Sequence, residues 1–385
     1  MSSIRHPRVQ PIAPTRRPTV SVIIPCFNYG RWLAECVHSA LGQEGVQVDV
    51  TIIDDASQDD SVAVAEALVR EHGDRVQLVR NIANRGHIPS VNAGLQLARG
   101  EYLVKLDADD LLAPGSLARS AALLDAHPSV GFVYGRPLHF GLEVDSTMTR
   151  LHKVLSGSSY LKTDQPARRM ADHKLRGWTV WSGEAWIARI CDRAANCISQ
   201  PEVMMRTSTV LQAGLYDGAL PHTSDLAMWL RLASISDVGH IDGPIQGFYR
   251  VHAKSMQRTV NSGKLRDLEG RLSAFEAVLG QHDDAQGNRR RMLARARNRL
   301  AGEALEEVTR AFDRGRTLSV PAEHYVEFAQ RASTEATSLP QWRSLQWRRR
   351  LGARWSPIFP PFLVEAALRP VRDELRAAKW WRDGT

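Results

Sequence analysis

From Val20 onward the chain alternates apolar runs with amphipathic stretches at a steady interval. VSVIIPC at 20–26 is a β-branched run broken only by Ser21, the pattern of a strand buried on both faces. A helical stretch follows over about 31–43, then a strand at VDVTIID (48–54) and a helix over 61–72. Next come RVQLVR (75–80), a helix over 90–98, EYLVKLD (101–107), a helix over 116–126 and VGFVYG (130–135). Strands alternating with helices at this spacing predict an α/β fold with a doubly wound, mostly parallel sheet. From 136 to 259 the regularity fades to one helix over 224–234 and short strands near 238–251. That stretch reads as the second half of the same domain, which then spans 20–259. Beyond 260 an Arg- and Ala-rich composition with helical periodicity predicts helices around 264–280, 288–315, 321–336 and 362–381. Residues 1–19, with four prolines among arginines, read as an extended, poorly ordered arm.

Charge divides along the same boundaries. The 385 residues carry a formal +8, a balance that first suggests nucleic acid, an anionic membrane or a phosphorylated substrate. The arm holds +4, residues 20–259 hold −3 and residues 260–385 hold +7. The central domain is therefore slightly acidic, and no nucleic-acid recognition module is visible in it. Cys26, Cys36, Cys191 and Cys197 form no C-x-x-C pair, which points to a reduced, cytoplasmic protein. Neither a signal peptide nor an apolar run of membrane-spanning length is visible.

The chemistry-bearing residues collect at the carboxyl ends of strands, where open parallel sheets bind ligands. The first strand ends in Pro25-Cys26-Phe27-Asn28, the second in Asp54-Asp55 and the fourth in Asp107-Ala108-Asp109-Asp110. Any one of these acids could simply cap a helix. Crowded together they repel one another unless a cation joins them. Mg²⁺ or Mn²⁺ is the natural partner, since both take oxygen ligands and bridge carboxylates to phosphates. PCFNYGR after the first strand excludes the G-x-G-x-x-G dinucleotide fingerprint, and no P-loop occurs. A phosphotransferase with an aspartyl nucleophile at Asp107 stays open.

Four ordered blocks resemble the inverting glycosyltransferases of family two, which have the GT-A fold. They are VSVIIPCFNYGRWLAECVHSALGQ, VTIIDDASQDDS, NIANRGHIPSVNAGLQLARGEYLVKLDADDLLAPGSL, and HTSDLAMWLRLA followed by YRVHAKSMQ. The resemblance covers about 20–259 and implies a nucleotide-binding half (20–135) and an acceptor half (136–259). It implies that Pro25, Phe27, Asn28, Asp54, Asp55, Asn84, Gly86 and Asp107 bind the nucleotide-sugar, with Phe27 near the base. Asp107, Asp109 and His252 would serve a metal, Asp110 would support that loop, and Asp225 would be the catalytic base. Ser224 stands where the family has a Glu before the base. The implied reaction is metal-dependent, inverting transfer from a nucleoside-diphosphate sugar, a UDP-sugar first among them, to a hydroxyl acceptor in a glycan, a lipid-linked intermediate or a small molecule. A catalytically inactive sugar-nucleotide-binding module is the non-enzyme alternative; the intact Asp109 and Asp225 argue against it.

Two further features fall outside those blocks or roles. Trp178, Trp181 and Trp186 could form a sugar platform or core. In the tail, apolar residues recur from Val364 to Leu368, Val371, Leu375 and Ala378, flanked by Arg369, Arg372, Arg376 and Lys379. A basic amphipathic helix of this kind either packs on its own domain or lies on an anionic membrane, which would place the enzyme peripherally at the inner face.

Overall fold

The computed structural model describes residues 8–141, 160–161, 174–252, 263–280, 287–314, 318, 320–355, 358–365, 367–368, 371 and 375. The chain opens with β1 (Arg8–Val9), β2 (Thr19–Cys26), α1 (Gly30–Leu41), β3 (Gln47–Asp54), α2 (Ser61–His72), β4 (Val76–Arg80) and α3 (His87–Leu97). It continues with β5 (Tyr102–Lys105), β6 (Leu111–Leu112), α4 (Ser116–Ala126) and β7 (Val130–Phe140). The second half supplies β8 (Tyr160–Leu161), β9 (Gly177–Trp181), α5 (Gly183–Arg193), β10 (Met204–Arg206), α6 (Thr207–Ala213), α7 (Ser224–Ala233) and β11 (Asp237–Arg250). Helices α8 (Lys264–Leu279), α9 (Asn288–Arg314), α10 (Ala322–Ala332) and α11 (Pro340–Trp355) follow.

One mixed sheet runs in the order β1-β9-β11-β7-β10-β5-β2-β3-β4. Parallel pairing joins β2 to β3 and β5, β3 to β4, and β7 to β11. The sequence suggests that 130–135 extends this parallel run. Instead β10 inserts antiparallel between β5 and β7, so the second half is threaded into the first. The strands expected near 238–251 are one strand, β11, whose far end reaches Arg250.

The predominantly apolar run of β2 follows from its two covered faces. Val20, Val22 and Ile24 join one core with Leu33 and Val37 of α1, while Ile23 joins the other with Val91 and Leu95 of α3. Close approach of α3 requires Gly94: a Cβ there would lie 2.2 Å from Ile23 Cγ2. Trp178, Trp181, Trp186 and Trp229 are all buried, so the tryptophans are core and not a platform. Trp186 donates its indole N–H to the Tyr134 hydroxyl at 3.2 Å.

The proline-rich arm departs from expectation over its described residues. Arg8 and Val9 pair antiparallel with Thr179 and Trp178 of β9. Arg16 forks onto both carboxylate oxygens of Glu101 at 2.6 Å and also reaches Asp125. Prolines removed the helical and sheet signals here, but an edge strand needs only a short free ladder. Helices α5 and α11 were not anticipated, and α10 ends at Ala332, short of the expected 336. Of the helix expected at 362–381, residues 362–365, 367, 368, 371 and 375 are described and helical, and the remainder lies outside the described residues.

Candidate active site

The ends of β2, β3, β5 and β11 converge on one crevice, as the open-sheet geometry requires. The loops after β2 and β3 are stitched together by side chains. Asn28, at a positive φ of 60°, donates its backbone N–H to Ser57 Oγ at 2.9 Å, and its own Oδ1 accepts the Gln58 N–H at 2.7 Å. Asp54 is buried, and its Oδ2 accepts the Ser57 N–H at 3.3 Å. Asp55 accepts from Asn81 Nδ2 (2.7 Å), the Arg85 N–H (2.9 Å) and the Gly86 N–H (2.8 Å). Burial opposes its ionisation, but these donors outweigh it and hold the carboxyl below its ordinary value. Asn84 Oδ1 shares the Gly86 N–H at 3.0 Å. Gly86 stands at φ 90°, a conformation that favours glycine, and starts α3. Of the residues expected to bind nucleotide, Asn28, Asp54, Asp55, Asn84 and Gly86 thus build the loops. Pro25 is buried in β2, and Phe27 stands 40% exposed at the mouth.

The D-A-D-D turn splits its three carboxylates between different neighbours. Asp107 Oδ1 lies 3.2 Å from Lys105 Nζ and 3.8 Å from His87 Nε2. Burial works against this carboxylate, yet Lys105, the nearest cation, keeps its pKa low. His87 itself is held neutral, its pKa pushed down to about 4 by burial and by Lys105. Asp109 Oδ2 meets His252 Nε2 at 2.9 Å. Asp110 accepts the Arg250 N–H at 2.8 Å through Oδ1, while its buried Oδ2 has no partner. Burial, then the charges of Asp109 and Asp107, drive the Asp110 pKa well up. Arg250 closes the turn, donating from Nε to the Asp109 carbonyl at 2.8 Å and from Nη2 to Glu35 at 2.7 Å.

Asp225 lies in the first turn of α7, behind the N-cap residue Thr223. Its Oδ1 is 3.9 Å from Lys105 Nζ, the same ammonium that holds Asp107. Burial raises its pKa above the ordinary value, against the opposing pull of Lys105. One buried lysine therefore joins the D-A-D-D turn to a carboxylate from the other half of the domain.

Residues 21–180 match the model of the family described as Glycosyl transferase family 2. The chain carries a family 2 glycosyltransferase domain. Among the curated relatives is an uncharacterized protein of Mycobacterium tuberculosis (strain CDC 1551 / Oshkosh), 30% identical over 56% of this chain and 62% of its own length. The succinoglycan biosynthesis protein ExoO of Rhizobium meliloti (strain 1021) is 35% identical over 31% of this chain and 33% of its own. The chain thus spans less than two thirds of the curated relatives it matches. The family 2 domain has the GT-A type of fold. Solved structures share it: S. aureus TarS 1-349 in complex with UDP-GlcNAc has a TM-score of 0.57 at 14% identity, covering 87% of this chain and 92% of that one. Mannosyltransferase PcManGT from Pyrobaculum calidifontis, in complex with GDP-Man and Mn2+, has a TM-score of 0.52 at 16% identity, covering 98% and 91%. At these identities the likeness is one of fold.

The residues named for metal do not form one cluster. Asp109 and His252 are joined, whereas Asp107 is turned to Lys105 and His87. Asp109 and His252 offer a carboxylate and an imidazole to a divalent cation, but no other acid of the turn lies within 4.8 Å of both. Among the described residues, the one group of three or more ligating side chains with atoms within 4.8 Å of one another is His38, Glu71 and His72, carried by α1 and α2.

Sequence reasoning assigned no role to Lys105, Arg250, Trp32 or Tyr29. The His252 ring lies 4.6 Å from that of Trp32 and 5.9 Å from that of Tyr29. Lys105 carried a visible signal, since a cation inside the buried run EYLVKLD needs a carboxylate partner.

Proposed function

We propose that this chain transfers a sugar from a nucleoside-diphosphate donor to a hydroxyl acceptor with inversion at the anomeric carbon, using Asp225 as general base. The observation that carries this reading is the shared lysine, with Asp107 and Asp225 at 3.2 and 3.9 Å from one Nζ. Two carboxylates from separate parts of the chain thus lie within 4 Å of one ammonium, which supports a donor-side role for Asp107 and a base role for Asp225. The donors printed for the fold neighbours, UDP-GlcNAc and GDP-Man, support a nucleotide-sugar, with a UDP-sugar as the first candidate. The succinoglycan relative supports a saccharide acceptor.

Phe27, exposed at the mouth, would stack on the base, and Asp55 keeps a lone pair on Oδ2 for a base N–H. Asp107 would accept from a ribose hydroxyl. Asp109 and His252 would hold Mg²⁺ or Mn²⁺, which supplies positive charge against the departing diphosphate. Asp225 takes the proton of the acceptor hydroxyl; that oxygen bonds to the anomeric carbon as the bond to the diphosphate oxygen breaks, and its electron pair leaves with the diphosphate. Raised by burial, the Asp225 carboxylate is a stronger base than a solvated one, while Lys105 opposes that rise.

The test is a screen of UDP- and GDP-sugars with Mg²⁺ or Mn²⁺, reading nucleotide release, followed by Asp225→Asn. The variant is expected to lose about 10²-fold or more in turnover with donor affinity nearly unchanged. Lost affinity with retained turnover would overturn the assignment of the base.

A further inference from the structure

The C-terminal segment has its faces reversed relative to a helix packed on a soluble core. Arg348, fully buried, pairs with Asp313 at 2.7 Å and with Glu365 at 3.0 Å, and its guanidinium stacks 3.7 Å from the Phe362 ring. The segment beginning at Pro360 is therefore docked by Phe362 and Glu365. Its apolar residues point the other way. Leu363, Val364, Leu368, Val371 and Leu375 are 50–64% exposed, and Ile358 just before them is 58% exposed. An amphipathic helix that covers its own domain hides this row and shows its charges. Here an ion pair faces inward, and among the described residues the apolar row stands on the surface.

The row is straight and narrow. Val364, Leu368, Val371 and Leu375 are spaced by four, three and four residues, one helical face about 16 Å long. Residues 340–385 around it carry ten basic and four acidic side chains and end near Trp380 and Trp381. A second copy of this chain would bring the same positive charge against it. An anionic bilayer instead offers an apolar layer at shallow depth beneath negative headgroups, and tryptophan favours that boundary. We infer that this face seats the protein on an anionic lipid surface, lying in the interface. The inference stands on the tail alone and does not depend on the proposed reaction.

The test uses the full chain with vesicles of phosphatidylcholine alone or mixed equally with phosphatidylglycerol. Sedimentation should recover the protein with the anionic vesicles only, and less of it as salt rises. The triple variant Leu363→Asp, Leu368→Asp, Leu375→Asp should lose at least about tenfold in vesicle affinity, since binding scales with the apolar area inserted. These side chains are exposed, so its melting temperature should match the parent's; if it does not, Arg369→Glu with Arg372→Glu provides the same reading through charge. Equal recovery with both vesicle types, retained binding in the variants, or a dimer abolished by the triple substitution would overturn the inference.

Discussion

Lys105 is the residue on which the two carboxylates of the crevice depend. It is 3% exposed, so its charge is felt with little screening by water. Replacing it by Met removes the cation that lowers the Asp225 pKa, so that pKa should climb further. A general base works only when ionised. The acid limb of the kcat profile should therefore move to higher pH in Lys105→Met, with turnover at neutral pH down about tenfold or more. A pH profile superimposable on the parent's would show that Lys105 is only a packing element. Asp107 loses its nearest cation in the same variant, so weaker donor binding should accompany the shift. Arg250 holds the D-A-D-D turn with its guanidinium on the Asp109 carbonyl and its backbone N–H on the Asp110 carboxylate, contacts that its sequence block alone did not suggest.

At the level of elements, the helices after 260 are tied together by buried ions. Arg271 of α8 donates to Glu303 of α9 at 3.0 Å and to the Ala194 carbonyl at 2.8 Å, beyond the last turn of α5. Burial penalises Glu303, but Arg271 and Lys264 overcome it and bring its pKa down from 4.5 to about 2. A depressed carboxylate stabilises the fold fully above its unfolded value and loses that contribution as pH falls through the folded one. The protein should lose on the order of 3 kcal/mol between about pH 4.5 and pH 2 from this group, and Glu303→Gln should flatten that part of a stability-against-pH curve measured by denaturant titration. The strands of the first half were legible because β2, β3 and β5 are covered on both faces, which leaves predominantly apolar runs. The helix α5 was not, although Ser182 caps it by accepting the Ala185 N–H, because Trp178, Trp181 and Trp186 read as one cluster when they belong to β9 and α5. The loop-building hydrogen bonds were also not legible: Asp54 and Asp55 look alike in sequence, yet Asp54 accepts one backbone N–H and Asp55 gathers three donors from the segment 81–86.

For the molecule as a whole, the net positive charge has separate uses. Arg16 is spent internally on Glu101 and Asp125, holding the first residues across the sheet from β9 to β5. These side chains are half-exposed, so Arg16→Ala should cost about 1 kcal/mol, less at high salt, and should open the Arg8–Val9 bond to trypsin. Unchanged digestion would mean that the strand pairing at Arg8 alone fixes the segment. In the tail Arg348 is likewise paired internally, with Asp313 and Glu365. The path of β11 carries a different consequence. It starts beside β7 and ends by delivering Arg250 and His252 to a turn made a hundred and forty residues earlier in the chain. Neither half owns the crevice. The part after β7 cannot be exchanged between related chains by a single crossover unless the incoming piece presents an arginine and a histidine in the same register. A graft that ignores this would leave the Asp109 carbonyl without its guanidinium donor and the Asp109 carboxylate without its imidazole partner, and the recombinant would lose the shape of the turn whatever its ligand.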